Sequence, residues 1–199
     1  NMFTIRPYRQ NDHDAVYDIC LKTGNSGRGA EHLYDDPMLL GHLYAGPYIT
    51  IEPNTAFILD NGQKPCGYIL GAKESKSFYK KMLNDWLIPL REKYKKPTSE
   101  ENEWSKDEQI IHQIFHPETP RVFPKYPSHL HIDLLPIAQG KGLGNNMMDH
   151  FMKYLIKQGS TGVHLGLGIK NKRAFYFYKK YGMTELERDD DTIYMGLKL

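Results

Sequence analysis

The chain has 199 residues, of which 40% are hydrophobic and 25% charged, and 26 Lys and Arg against 24 Asp and Glu give a net charge of +2. These proportions are typical of a globular domain and exclude an intrinsically disordered chain. The balanced charge argues against a nucleic-acid or membrane-surface partner, and no apolar run reaches the ~20 residues that a bilayer span requires.

The N-terminus and the cysteines bear on the cellular location of the protein. Asn1 precedes Met2, so we interpret Asn1 as an added residue and Met2 as the natural start. No signal-peptide core follows, and Cys20 and Cys66 stand in no metal-ligand spacing. We therefore expect one domain, residues 1–199, in the cytoplasm, with two reduced and buried thiols.

Hydrophobic patterning predicts strands and helices along the chain. Alternation favours strands at residues 3–8, 55–59, 66–72, 129–135, 161–168, 184–187 and 192–199. Helical spacing favours a first helix after Asn11 or Asp12, either of which can cap it with its side chain. It favours further helices at 37–44, across 78–94, after Ser105, at 145–157 and at 171–181. The order strand–helix–strand–helix in the C-terminal third predicts a parallel pair of strands with a right-handed crossover.

Individual residues mark several of these boundaries. Pro7 cannot donate to a ladder, which places the first strand at a sheet edge. Asn61-Gly62 predicts a hairpin between the second and third strands. Pro89 is expected to kink or end the long helix. Ser105 with Glu108 predicts a capping box at the start of the next one.

A glycine loop joins the strand at 129–135 to the helix that follows it. Gly140, Gly142 and Gly144 let the backbone turn tightly and approach a ligand closely. The free amides at the start of a helix attract an anion. The loop is therefore predicted to hold a diphosphate.

Other interpretations of the glycines remain open. The loop is also compatible with a purely structural turn. A dinucleotide site is disfavoured, because the spacing is Gly-x-Gly-x-Gly and the strand at 161–168 contains no acidic residue. A P-loop is disfavoured, because no Gly-Lys-Ser or Gly-Lys-Thr occurs. A second cluster, Gly24-x-x-Gly27-x-Gly29, follows a helix, and we expect it to be a mobile loop on the substrate side.

Gln139-x-x-Gly142-x-Gly144 resembles the acetyl-CoA signature of the GNAT superfamily of N-acetyltransferases. The strand ending Leu134-x-Pro136 and the helix pattern Asn171-x-x-Ala174-x-x-x-Tyr178-x-x-x-Gly182 resemble the same family. The whole chain also resembles the acetyltransferase-like C-terminal domain of the O-GlcNAcase family and its stand-alone bacterial relatives. The intact glycine loop favours the bacterial members. The segments that carry this likeness are Ile5-Arg-Pro-Tyr8, Ala15-Val-Tyr-Asp-Ile-Cys20, Cys66-Gly-Tyr68, Glu92-Lys-Tyr94, Lys96-Pro97 and His131-Ile-Asp133.

The resemblance implies an α/β fold with a mixed, mostly antiparallel central sheet splayed at its fourth strand, helices on both faces and helical insertions. It implies acetyl-CoA as cosubstrate, with the pantetheine arm in the gap, and no metal. The main chain at Leu134 and Leu135 would pair with that arm, and Asn171 and Ala174 would contact it. The pyrophosphate would lie on the amides of Gln139, Gly140, Lys141, Gly142, Leu143, Gly144 and Asn145.

Tyr178 is the candidate general acid. It lies seven residues after Asn171 and four after Ala174, so the three side chains share one helix face. A phenol is protonated at neutral pH, and the resemblance implies that this one points at the thioester sulfur, where it would protonate the departing thiolate. The position is also compatible with a core tyrosine, since the same helix contains Phe175, Tyr176, Phe177 and Tyr181.

His129, His131 and Asp133 alternate along one strand and share a face. Three polar residues in a row are unusual in a plain core strand. They are compatible with a general base and the residue that orients it, with a metal site, or with hydrogen-bonded residues lining the cleft. Three ligands are too few to favour a metal, and on local chemistry we nominate Asp133 and His131 as catalytic residues.

The predicted function is an acetyl-CoA-dependent N-acetyltransferase. The predicted acceptor is a primary amine on a small molecule or a lysine. Transfer is expected to be direct, within a ternary complex of protein, acetyl-CoA and amine. The protein is expected to be a monomer or a homodimer. A GNAT-like binding module without turnover is the alternative. The extra length at 21–54 and 73–128 brings aromatic residues that either wall an acceptor pocket or pack the inserted helices, namely Tyr34, Tyr44, Tyr48, Tyr79, Trp86 and Trp104.

Overall fold

The computed structural model describes residues 2–199, so the interpretation of Asn1 lies outside the described residues. The strands are β1 (Thr4–Pro7), β2 (Ala56–Asp60), β3 (Pro65–Ala72), β4 (Ser128–Leu134), β5 (Gly162–Gly168), β6 (Thr184–Arg188) and β7 (Thr192–Lys198). The helices are α1 (His13–Lys22), α2 (Leu39–Tyr44), α3 (Gly46–Ile51), α4 (Ser75–Lys81), α5 (Ile88–Leu90), α6 (Lys106–Phe115), α7 (Leu143–Lys157) and α8 (Lys172–Tyr181).

The strands form one sheet in the order β1-β2-β3-β4-β5-β7-β6, with β1 at an edge as Pro7 predicts. All neighbouring pairs are antiparallel except β4 and β5, which are parallel. This parallel pair is held only at Ser128 with Val163 and at His129 with His164. β4 then continues along β3 to Leu134, while β5 continues along β7 to Gly168. The sheet therefore opens between β4 and β5, which confirms the predicted splay at the fourth strand.

Helices cover both faces of the sheet. On β3, a Cβ at Gly71 would lie 2.6 Å from the Phe151 ring of α7, so Gly71 faces α7. Tyr68 stands three residues away and faces the opposite side, because side chains alternate along a strand. His131 pairs with Leu70, on the same face as Tyr68, and contacts Tyr48 of α3. The α1–α3 layer and the α7 layer thus lie on opposite faces.

The boundary signals are confirmed where they are local. Ser105 Oγ accepts from the Glu108 amide, and the Glu108 carboxylate accepts from the Ser105 amide, both at 3.1 Å, which is the predicted capping box. The hairpin of β2 and β3 turns at residues 61–64, with Gly62 at φ +92°. The helix after the glycine loop begins at Leu143, two residues earlier than predicted.

The predicted side-chain cap of α1 is wrong. The Asp12 carboxylate instead accepts from the Arg9 amide at 2.8 Å and pairs with the Arg6 guanidinium at 2.8 Å. Arg6 also contacts Asp60, at 3.0 Å. The buried carboxylate therefore ties β1 to the start of α1, and these partners compete successfully with the helix amides.

The long helix changes its geometry before Pro89. α4 passes into a π-helical stretch, Met82–Leu87, and then into the single turn α5. Pro89 has no N–H to donate to the carbonyl four residues earlier, and the wider π turn accommodates that loss. α3 follows α2 after Ala45 and was not predicted.

Candidate active site

A cleft of about 310 Å³ occupies the gap between β4 and β5. Its walls come from the two diverging strands, with Leu130 to Leu134 on one side and Leu165 to Gly168 on the other. The edge of β4 that faces the cleft has no strand partner beyond His129. A strand edge without a partner presents main-chain donors and acceptors to a ligand.

The glycine loop lies at the end of this cleft, between Gln139 and Gly144, which both line it. Gly140 and Gly142 are exposed and adopt φ of +73° and +74°, in the left-handed region. A Cβ at either position would meet no protein atom within 4 Å. The glycines are therefore required by backbone conformation, and the space beside them is open to a ligand.

The loop also supplies free donors. The first intrahelical hydrogen bond of α7 runs from the Asn146 amide to the Gly142 carbonyl, at 3.2 Å. The amides of Leu143, Gly144 and Asn145 precede it and have no partner within the helix. Lys141 adds a cation that forms no salt bridge among residues 2–199. An anionic diphosphate fits such a set of donors.

Side chains brace both ends of the cleft. Gln139 Nε2 donates to the Leu134 carbonyl at 2.9 Å, which closes the strand ending onto the loop. Asn171 Oδ1 accepts from the Ala174 amide at 3.1 Å and caps α8, and both residues line the cleft. Leu135 is placed differently, because its side chain is buried and its amide donates to the Cys66 carbonyl at 2.8 Å. Leu135 is therefore turned toward β3 and not into the cleft.

Tyr178 lines the cleft from α8. It is 9% exposed, and burial raises the pKa of its phenol, with Asp133 adding to the shift. The hydroxyl therefore stays protonated over the physiological range. The other two tyrosines of α8 have different surroundings. Tyr176 is exposed, and the Tyr181 hydroxyl donates to Asp149 on α7.

Asp133 lies directly opposite Tyr68 in the pairing of β3 with β4. The Tyr68 hydroxyl donates to Asp133 Oδ2 at 2.7 Å. Burial raises the pKa of the Asp133 carboxyl to about 7, because the desolvation of the charged form outweighs this hydrogen bond. Asp133 lines the cleft and is thus a carboxyl group that takes up and releases a proton near neutral pH.

His131 belongs to a different network from Asp133. Ser75 Oγ lies 2.7 Å from His129 Nδ1. The Tyr48 hydroxyl lies 2.8 Å from His129 Nε2 and 3.0 Å from His131 Nε2. No hydrogen bond joins His131 to Asp133 among the residues described, so the idea that Asp133 orients His131 is wrong.

The two histidines are uncharged at neutral pH. Burial lowers the pKa of His131 to about 4, and burial together with the neighbouring His131 and His164 lowers the pKa of His129 well below its usual value. Both Nε2 atoms contact the Tyr48 hydroxyl. Within residues 2–199, no three His, Cys, Asp or Glu side chains come together in the manner of a metal site.

The second glycine cluster lies at the cleft as well. Ser26 and Gly27 line it opposite α8, with φ of +53° and +86°. The loop therefore borders the cleft, and its place on the substrate side stays a prediction. Sequence reasoning missed Thr23, Tyr68 and Phe177, which touch the cleft or its polar residues, because no local pattern links them to β4. It named Tyr48 as an aromatic residue of an insertion but not as a partner of His131.

The remaining sequence predictions divide into two groups. Tyr44, Tyr48 and Tyr79 line a cavity next to His131, whereas the indoles of Trp86 and Trp104 donate to carbonyls of His42 and Ser99.

Cys20 and Cys66 are buried and unpaired. In the described part of the chain, no helix combines the length and the apolar character needed to cross a bilayer.

Known proteins share this architecture. The profile described as Acetyltransferase (GNAT) family matches residues 27–183. The chain is 29% identical over its whole length to protein O-GlcNAcase of Rattus norvegicus, but it spans only 22% of that protein. The crystal structure of SsHAT matches with a TM-score of 0.91 and 36% identity, covering 100% of this chain and 98% of that one. PaiA N-acetyltransferase from Thermoplasma acidophilum, in complex with coenzyme A, shares the fold at a TM-score of 0.62 and 12% identity, covering 99% of each chain.

In this chain the sheet opens between two parallel strands beside a glycine loop. The family match covers that whole region, from the second glycine cluster to the end of α8. The chain belongs to the GNAT family of acetyltransferases, whose general activity is acetyl transfer from acetyl-CoA. The predicted fold class and the predicted resemblance are both confirmed.

Proposed function

We propose that residues 1–199 form one acetyltransferase domain that moves the acetyl group of acetyl-CoA to a primary amine, on a small molecule or a lysine. The transfer is direct, within a ternary complex. The observation that carries the proposal is the cleft between β4 and β5, which runs from the glycine loop to Tyr178 and Asp133. No cysteine lines it, so we assign no covalent nucleophile.

Acetyl-CoA would occupy the cleft from the loop inward. The amides from Gly140 to Asn145 would hold the pyrophosphate, where Gly142 leaves open space. The unpaired edge of β4 at Leu134 would pair with the pantetheine arm, and Asn171 and Ala174 would contact it from the other wall. The thioester supplies an activated acetyl group, and the chain binds it, orients it and excludes water.

Asp133 and Tyr178 divide the proton transfers. Asp133, with a pKa near 7, accepts the proton that the acceptor amine must lose. The new C–N bond forms as the C–S bond breaks, and the Tyr178 hydroxyl donates its proton to the departing sulfur. Both residues line the same cleft.

His131 has a role that differs from those of Asp133 and Tyr178. We derive it by assigning a donor and an acceptor to each hydrogen bond from Ser75 through His129 and Tyr48 to His131. Ser75 is 1% exposed, and among the described residues its Oγ has His129 as its side-chain partner. A buried hydroxyl proton without an acceptor costs about 1–3 kcal/mol, so Ser75 donates to His129 Nδ1. His129 then donates from Nε2 to Tyr48, and the single Tyr48 proton goes to Nε2 of His131.

His131 therefore carries its proton on Nδ1. Within the described chain no buried side-chain nitrogen or oxygen lacks a partner, and His131 Nδ1 has none, so this atom is open to the cavities that His131 lines. A neutral imidazole with a pKa near 4 does not act as a base at pH 7. Its Nδ1–H is available as a donor to the acetyl oxygen, where negative charge develops during transfer.

Thiol release tests this function. Purified protein with acetyl-CoA and a panel of primary amines is expected to release free CoA thiol and form the N-acetyl product, detected by mass spectrometry. Tight acetyl-CoA binding without thiol release from any amine would favour the binding module over the enzyme. We further propose the cytoplasm as its location, where Cys20 and Cys66 would stay reduced, and a monomer or homodimer without nucleic-acid or membrane partners.

A further inference from the structure

Two further cavities lie beyond His131, on the α1–α3 face of the sheet. Their volumes are about 440 and 360 Å³, and they share Tyr44, Tyr79, Pro120, Arg121, His131 and Tyr194. The smaller one meets the acetyl-CoA cleft along Leu130, His131 and Leu165 to Gly168. A ligand in these cavities would therefore reach the acetyl group from the side opposite the glycine loop.

Aromatic and apolar side chains form much of the wall of these cavities, and polar side chains interrupt it, namely Gln113, Thr119, His129, His131, His164 and Thr192. Tyr44, Tyr48, Tyr79 and Tyr194 supply rings, and Met82 and Leu87 add apolar surface. Burial raises the pKa of Tyr79 to about 12 and lowers that of His131 to about 4, so these groups are uncharged at neutral pH. The lining is thus suited to a flat, apolar body.

The charged groups at the rim narrow the choice of ligand. The Arg121 guanidinium is held by both carboxylate oxygens of Glu187 and lies 4.9 Å from the Phe123 ring, so it is already paired with a carboxylate. Glu118 is exposed and forms no salt bridge in the described residues. The cavities thus offer one carboxylate and no free cation.

We propose that these cavities bind the acceptor, and that the acceptor is an arylalkylamine, a primary amine on a short chain with an aromatic ring. This inference rests on the proposed function. A polyamine would bring several cations to a wall with one carboxylate. An amino acid would bring a carboxylate that no unpaired cation meets. An arylalkylamine stacks its ring on the tyrosines and extends its one amine past His131 toward the cleft, which Asp133 lines.

The test compares amines that differ by the ring. With saturating acetyl-CoA, kcat/KM for thiol release is measured for 2-phenylethylamine, ethylamine, 1,4-diaminobutane, lysine and glucosamine. We expect 2-phenylethylamine to exceed ethylamine by at least tenfold and to exceed the other three. Equal values for the two matched amines, or preference for the diamine, lysine or glucosamine, would overturn the arylalkylamine assignment while the proposed function stands.

A matched pair of variants locates the binding site. Tyr44 is 42% exposed and lines the cavities, so Tyr44→Ala leaves the core intact. We expect it to raise KM for 2-phenylethylamine up to about tenfold, the upper range for one aromatic pair. Acetyl-CoA affinity stays unchanged. Tyr176→Ala, at a site 66% exposed on α8, serves as the control and should change neither value. An unchanged KM in Tyr44→Ala would remove the amine from this cavity.

A binding measurement with 2-phenylethylamine distinguishes a wrong ligand assignment from a wrong proposed function. Calorimetry of 2-phenylethylamine against the protein with CoA present reports binding without turnover. Binding that Tyr44→Ala weakens, with no thiol release from any amine, would keep the assigned ligand and overturn the proposed function. No binding of 2-phenylethylamine, with turnover of another amine, would overturn the ligand alone.

Discussion

The Tyr48 hydroxyl lies 3.0 Å from Nε2 of His131, although 83 residues separate them in the chain. α3 brings Tyr48 to β4, where its ring also stacks on Phe78 at 4.5 Å. In the proton order that we propose, Tyr48 donates this bond, which places the His131 proton on Nδ1. A residue of a helix that sequence patterns did not predict thus sets the chemistry of a predicted site residue.

Tyr48→Phe tests this arrangement. The ring and its stacking remain, so we expect a folded protein whose kcat falls by about ten- to a hundredfold, within the effect of losing one transition-state donor. The KM for acetyl-CoA should not change. Long-range ¹H–¹⁵N spectra should show His131 mainly protonated at Nδ1 in the parent and as mixed tautomers in the variant. A parent protonated at Nε2 would contradict the proposed proton order, whatever the rate.

Acetyl-CoA should stabilise the protein against heat. A ligand that binds only the native state adds about 2.7 kcal/mol at a hundred times Kd, which raises Tm by about 5–10 °C for a chain of this length. Desulfo-CoA should act similarly, because the loop binds the pyrophosphate and not the sulfur. NAD should have no effect. A shift with NAD and none with CoA would contradict the assignment of the glycine loop.

Gly142→Val should abolish acetyl-CoA binding. Its positive φ disfavours a β-branched residue, and the new side chain would fill the space left beside the free amides. Gly159→Val is the matched control, since Gly159 also has a positive φ, +87°, with nothing within 4 Å of its Cβ position, but follows the far end of α7. Both variants should lose about 1–3 kcal/mol of stability. Calorimetry that shows equal loss of CoA affinity in both would refute the pyrophosphate site. Gly27 also has a positive φ, +86°, but it is unsuitable as a control because it lines the cleft.

Tyr178→Phe should lower turnover far more than acetyl-CoA binding. Only the hydroxyl is removed, so packing is retained, and loss of a general acid typically costs ~10²–10⁴-fold in rate. Tyr181→Phe on the same helix is the control, because its hydroxyl bonds to Asp149 outside the cleft. Steady-state kinetics together with calorimetry separate the two effects. Parent-like turnover in Tyr178→Phe, with chemistry rate-limiting, would make Tyr178 a packing residue.

The raised pKa of Asp133 predicts two pH effects. As a base it must be ionised, so kcat/KM should fall as the pH drops below about 7, beyond the effect of protonating the amine. Asp133→Asn should lower kcat/KM and remove that limb of the profile. An unchanged limb in the variant would assign the pKa to another group.

Stability should change in the opposite direction with pH. An unfolded aspartate has a pKa near ~3.9, so between this value and about 7 the native state binds more protons than the unfolded state. The contribution of Asp133 to stability is therefore present at low pH and is lost as pH rises through 7. Asp133→Asn should raise Tm more at pH 8 than at pH 5. An equal shift at both values would contradict a raised pKa.

Features that depend on neighbouring residues were predictable. The capping box of Ser105 and Glu108, the turn at Gly62 and the positive φ of Gly142 each involve a few consecutive residues, whose side chains act on their own backbone. Asp12 shows the limit of such reasoning. As a local cap it was predicted to bond the helix, but Arg6 on a neighbouring strand provides a stronger, charged partner.

The partners of the site residues were not predictable in the same way. Asp133 and His131 were nominated together because they share one strand face, yet Asp133 bonds to Tyr68 and His131 to Tyr48. Those partners depend on the register of β3 against β4 and on the docking of α3. Sequence spacing within one strand contains no information about either.

The sequence by itself determined the family signature, the glycine loop and the order of strands and helices, because hydrophobic period, turn chemistry and the need for positive φ are properties of short segments. The tertiary structure decided where β4 and β5 part, which carboxyl is buried enough to titrate near neutrality, and which nitrogen of His131 faces the cleft. Burial and hydrogen-bond partners come from residues far apart in the chain, so the chemistry of the site is fixed only when the sheet and its helices are assembled.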